Sequence, residues 1–155
     1  MKKSAAKSPV PVVAGNARYR PLERSVRRAL IIGLQTLKLR RTVEAFLVDD
    51  RAIRRLNRVY RKKDKATNVL SFPWPDHFVA VHSKARPLGE IYLGPDYIRR
   101  HGEDLSCMAV HGLLHLLGYD HTEKGERLRM ERKERQIMKL LSARNSSLFL
   151  PVRVS

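Results

Sequence analysis

The sequence predicts an α/β (α+β) fold, a single compact domain in which helices cover a small mixed β-sheet. Two observations predict it. Apolar, β-branched segments alternate with segments whose apolar residues recur every three or four positions, in the order strand, helix, strand, helix, strand, strand, helices. The 155 residues suffice for one real core, and they contain no internal repeat and no linker long enough to separate two domains.

Residues 1–9 read as a flexible basic tail and 10–14 as a short first strand. Leu22, Val26, Ala29, Leu30, Gly33 and Leu37 then mark one face of an amphipathic helix, with Arg24, Arg27 and Arg28 largely outside that stripe. TVEAFLV, 42–48, has the β-branched apolar character of a strand. Ile53, Leu56, Asn57 and Tyr60 return to helical spacing after Asp49 and Asp50. NVLSF, 68–72, is a strand closed by Pro73 and Pro75, and Trp74 to Pro87 reads as a loop. LGEIYLG, 88–94, is a strand between glycines, and Pro95 opens a helical turn to about Arg100. Asp104 or Ser106 caps an apolar helix that Gly118 ends as its left-handed residue. A charged helix follows from about Thr122 to Leu141, and 145–155 form a tail of uncertain structure.

Composition narrows the partners. The formal charge of +17 points to a polyanion, and nucleic acid is the commonest one, ahead of an anionic membrane surface. A single cysteine, Cys107, excludes an intramolecular disulfide and fits a reducing compartment. The basic opening MKKSAAKSPVPVVAG lacks the uninterrupted apolar stretch of a signal peptide, and no segment reaches the ~18 apolar residues of a membrane span. These features predict a cytoplasmic protein.

Chemistry concentrates in HGLLHLLGYDH, 111–121. His111 and His115 are four apart on a helix, so their imidazoles share a face and can converge on one ion. Gly118 allows the chain to turn back and bring His121 within reach. Three neutral imidazoles suit zinc better than magnesium and leave one tetrahedral position for water, the arrangement of a catalytic site. Burying three imidazoles with no shared cation would leave polar groups desolvated. Cys107 lies two helical turns from His115, too far for the same ion, and reads as a buried structural thiol. In the metallopeptidase motif H-E-x-x-H a glutamate follows the first histidine; here that position is Gly112, which counts against a peptidase.

RAIRRLNRVYRKKDK, 51–65, sets eight basic residues against one acid, a density that suits nucleic-acid phosphates. Arg61 stands at the end of its helix, just ahead of a strand, where a side chain can project into a cleft and grip phosphate through paired hydrogen bonds.

Three blocks then identify a resemblance. LNRVYRKKDKATNVLSFP, LGEIYLG and HGLLHLLGYDH are similar to signature segments of the YbeY family, bacterial endoribonucleases and rRNA maturation factors, and with their spacing span roughly residues 20–143. The resemblance implies a metal-dependent, single-strand-specific endoribonuclease that acts at the 3′ end of small-subunit ribosomal RNA and in ribosome quality control. Its partners would be RNA and the small ribosomal subunit, with neither DNA nor a membrane expected. It implies one zinc ion per chain on His111, His115 and His121, and it gives Arg61 the position of the arginine associated with activity. Ala66 replaces a common proline and Glu90 a usual aspartate; the longer Glu90 side chain is expected near the cleft. Two alternatives stay open: a zinc hydrolase on another substrate such as a peptide, and a non-catalytic assembly factor braced by zinc.

Overall fold

A computed structural model of the chain describes residues 10–75 and 86–147. The expected tail at 1–9, residues 76–85 of the expected loop and residues 148–155 of the C-terminal tail lie outside the described residues. The strands are β1 (Val12–Ala14), β2 (Arg41–Leu47), β3 (Val69–Pro73) and β4 (Arg86–Leu93). The helices are α1 (Glu23–Thr36), α2 (Asp50–Arg61), α3 (Pro95–Arg100), α4 (Leu105–Leu116) and α5 (Lys124–Ser147). The order of the sheet is β1-β2-β4-β3, with β1, β2 and β4 parallel and β3 antiparallel at the edge. The expected mixed α/β architecture is the observed one.

Boundaries differ from the sequence reading at several elements; β1, for instance, starts at Val12 rather than residue 10. A 3-10 turn, Ala17–Leu22, precedes α1; the Asn16 side chain caps it, and Pro21 lies inside it. β4 starts at Arg86 rather than 88, because Arg86 and Pro87 pair with Arg41 and Thr42. The Arg41 guanidinium also donates to the Arg86 and Pro87 carbonyls, so pairing extends the strand through a proline that reads locally as loop. α5 runs to Ser147, beyond the expected Leu141.

Two apolar layers locate the site. Ala45 and Leu47 of β2 and Ile91 and Leu93 of β4 pack against Leu30 and Leu34 of α1 and Ala109 and Leu113 of α4. Behind them, Ala29 and Ile32 of α1 and Val110 and Leu114 of α4 meet Met130, Ile137 and Leu141 of α5. α4 is therefore held on both sides, against the sheet and against α5. Burying each large aliphatic side chain of this kind contributes about 1.5–3 kcal/mol.

The opposite sheet face carries Phe46, Phe72 and Tyr92, where the Tyr92 ring contacts both phenylalanines, and Tyr60 of α2 packs on Phe72 with centroids 5.0 Å apart. Successive strand residues point to opposite faces, so Tyr60 brings α2 to the side away from α4. Tyr60 belongs to the predicted apolar stripe, yet it is 64% exposed at the helix end. No helix among the described residues is long and apolar enough to cross a membrane.

Candidate metal-binding cleft

α4 begins where Asp104 accepts a hydrogen bond from the Cys107 amide at 2.7 Å, so of the two expected caps Asp104 acts and Ser106 does not. It ends at Gly118, with φ of +89°. The Gly118 amide donates to the His115 carbonyl and the Tyr119 amide to that of Leu114, the paired bonds of a glycine-ended helix. Asp120 then secures the reversed segment: its carboxylate accepts from the His121 amide at 2.6 Å and from the Thr122 hydroxyl at 2.9 Å. Those bonds, the amide first, hold the Asp120 carboxyl below the usual carboxylate range.

The result is convergence. The Nε2 atoms of His111, His115 and His121 lie 3.1 Å from one another. Bonds of ~2.0–2.1 Å in a tetrahedral shell set neighbouring ligands about 3.3 Å apart, so the triangle fits one small cation with few adjustments. Burial first, then the His111 and His121 rings, push the His115 pKa below that of an ordinary histidine, which favours the neutral form a metal needs. These three residues can hold a metal ion.

A fourth residue, which the sequence reading missed, orients the trio. Glu134 of α5 accepts from His111 Nδ1 at 3.1 Å and from the Cys107 thiol at 2.9 Å. With Nδ1–H committed to the carboxylate, His111 Nε2 keeps its lone pair for the cleft. Burial alone would raise the Glu134 pKa; the His111 and Cys107 hydrogen bonds outweigh it and hold the carboxyl below its usual value. Cys107 is half-buried rather than buried. Burial, then its bond to Glu134, pushes the thiol up to about 12, so it stays protonated and is no thiolate ligand. Glu134→Ala is expected to weaken zinc binding roughly 10–100-fold, with Glu134→Gln intermediate; competitive titration against a chromogenic chelator measures it.

Gly112 explains why no glutamate follows His111. A Cβ on Gly112 would lie 2.8 Å from Ile91 Cγ2 and 3.0 Å from Val69 Cγ2, and Ser71 Oγ already donates to the Gly112 carbonyl at 2.9 Å. The position faces the sheet, so a carboxylate placed there cannot serve a metal-bound water. Gly112→Glu is expected to destabilise the fold by more than ~4 kcal/mol, through overpacking and an unpaired buried charge, and to confer no peptidase activity. Urea unfolding with a peptide-cleavage assay checks both.

Arg61 reaches the same place from the other side of β3. α2 closes on Lys62, whose backbone is left-handed at φ +60°. Buried Asn57 braces the turn, donating from Nδ2 to the Lys65 carbonyl at 2.9 Å. Arg61, Thr67, Asn68, Val69, Ser71, His111, His115, Asp120 and His121 line one cleft of about 370 Å³. Arg61 is exposed and takes part in none of the ion pairs among the described residues. Glu90 lies on the sheet face turned away from α4, where its carboxylate accepts from the Tyr92 hydroxyl at 3.2 Å, and it is not among the residues that line the cleft.

Fold and site together define a small α/β protein whose distinguishing feature is a three-histidine cleft suited to a metal ion. The family model described as endoribonuclease YbeY matches residues 16–142, and the chain belongs to that family. Proteins named endoribonuclease YbeY from Sulfurovum and from Aquifex aeolicus are 40% and 37% identical over 107 and 114 residues, covering 63% and 68% of this chain and 71% and 69% of those proteins. The one from Myxococcus xanthus is 45% identical over 100 residues, 59% of this chain, which spans 34% of that protein's length. The solution structure of TM1509 from Thermotoga maritima shares the fold, with a TM-score of 0.56 over 94% of this chain and 99% of that one at 23% identity.

Proposed function

We propose that this protein is a zinc-dependent, single-strand-specific endoribonuclease that matures the 3′ end of small-subunit ribosomal RNA and takes part in ribosome quality control in the cytoplasm. The observation that carries the reading is three mutually equidistant imidazole nitrogens in one cleft with an arginine that joins no ion pair among the described residues. Family membership supports the reaction class, and the charge of +17 supports a polyanionic substrate.

The residues divide the work. His111, His115 and His121 are the ligand set for one zinc ion per chain, and Glu134 keeps His111 turned inward. Zinc bound there supplies Lewis-acid polarisation of a phosphoryl oxygen and a lowered pKa for a bound water. Arg61 holds the scissile phosphate and stabilises negative charge as it develops on the phosphoryl oxygens. Asp120 and Gly118 fix the turn that presents His121. A peptide substrate is disfavoured because Gly112 leaves no general base beside His111.

Incubating end-labelled single-stranded RNA with zinc-loaded protein, with chelator-treated protein and after zinc is restored tests the reading. Cleavage should vanish with the metal and return with it, while duplex RNA stays intact. A 2′,3′-cyclic phosphate end would assign the attack to the 2′-hydroxyl, and a 3′-hydroxyl with a 5′-phosphate would assign it to water. Intact RNA after exposure to folded, zinc-loaded protein would overturn the nuclease reading and leave an assembly role.

A further inference from the structure

We propose that the outer face of α2 is a phosphate rail, along which single-stranded RNA runs from the metal cleft past Arg58 and Arg55 to Arg51. The proposal rests on the ribonuclease reading for the identity of the polyanion.

A surface groove of about 340 Å³ on α2 is lined by Arg51, Arg54, Arg55 and Arg58 alone. Arg54 is committed: its guanidinium holds both oxygens of Asp64, at 2.9 and 3.2 Å. Arg51, Arg55 and Arg58 are exposed and join none of the ion pairs among the described residues. Arg51 and Arg55, and Arg54 and Arg58, are four apart; Arg55 and Arg58, and Arg58 and Arg61, are three apart. Like charges at these spacings destabilise a helix.

Part of α5 neutralises such charges. On α5, Arg129 pairs with Glu126 and Arg127 with Glu131. α2 instead keeps its repulsion, while its packing anchors, Ile53 and Asn57, face the other way. Arg100 holds Asp50 at the first turn, and Arg54 holds Asp64 beyond the last, so both ends of α2 are tied to neighbouring chain. Packing gives the arginines no role; a row of anionic groups does.

Continuity with the cleft selects the anion. Arg61 follows Arg58 by one turn and lines the histidine cleft. Each helical turn advances about 5.4 Å, close to the step between phosphates on an extended strand. A strand whose scissile phosphate lies at Arg61 meets guanidinium groups for roughly 15 Å along the helix. An acidic protein segment would have no reason to end at the histidines.

The test measures binding, apart from cleavage. In a non-cleaving His115→Ala background, the affinity of fluorescein-labelled oligouridylate is measured against salt for R51Q/R55Q/R58Q. The comparison is R20Q/R24Q/R28Q, which removes equal charge around the start of α1. Glutamine keeps helix propensity and relieves repulsion, so the rail variant should fold, as circular dichroism would verify.

The rail variant should bind at least tenfold more weakly, and its slope of log K against log salt should flatten by about 2, at ~0.7 per lost phosphate contact. The comparison variant should keep its slope. Equal losses in the two variants, or an unchanged rail slope, would overturn the proposal. So would polyglutamate binding the same arginines as tightly as RNA. A wild type that binds through the rail but leaves RNA uncut would refute the nuclease reading and spare this one.

Discussion

Alanine at His115 is expected to strip the protein of zinc and reduce RNA cleavage to background, a loss of at least ~10³-fold, since metal activation is worth several kcal/mol. His115 is the joint of the site. Its Nε2 lies 3.1 Å from both other histidine nitrogens, and it shares α4 with His111. Two imidazoles cannot replace the three-point grip. The fold should survive, because His115 is only partly buried and borders the cleft.

The expected signature is therefore a split. Zinc should raise the melting temperature of wild type as ligand binding does and leave that of His115→Ala unmoved. Metal-free, the variant should melt no lower than wild type. Metal content by plasma emission, melting with and without zinc, and RNA cleavage read the three outcomes. A variant that keeps stoichiometric zinc would end the three-histidine assignment.

Much of this site was legible in the linear sequence because its parts are local. His111 and His115 need only helical spacing, and a glycine able to adopt φ of +89° is enough to return His121 to the helix it has just left. Glu134 was not legible for the opposite reason. It belongs to another helix, in a run of charges where a solvated carboxylate is the default, and it reaches His111 only once α5 docks on α4. A trace existed: Glu134 falls between Met130 and Ile137, on the buried stripe, where a carboxylate must find a partner. The 3-10 turn left less trace, since six residues around Pro21 show no period.

Strand periodicity explains the placement of Glu90. Ile91 and Leu93 are buried in the core, so alternation alone turns Glu90 and Tyr92 to the other face. Which face would hold the cleft was decided by Gly112, whose bare backbone lets α4 close on Val69, Ser71 and Ile91. Tertiary contact settled what spacing left open. The same contact makes a glutamate at the peptidase-motif position costly here.

Arg61→Ala is expected to lower kcat by about 10²–10³, the ~3–4 kcal/mol typical of removing one preorganised charge from a transition state. Zinc content and stability should be unchanged. Arg61 is exposed, no carboxylate among the described residues depends on it, and the turn behind it is held by Asn57 and Lys62. Loss at such a position usually stays within ~0.5 kcal/mol of folding stability. RNA affinity should fall only modestly, because Arg51, Arg55 and Arg58 would still hold the strand. That contrast would separate two proposed uses of arginine on one helix, the rail in binding and its salt dependence and Arg61 in the chemical step. Arg61→Lys restores the charge without the planar fork, so single-turnover kinetics of the pair weigh charge against geometry. Near-complete recovery with lysine would mean that charge alone suffices, and failure to recover would mean that the two parallel hydrogen bonds carry the effect. An alanine variant with unchanged kcat would remove Arg61 from the chemistry.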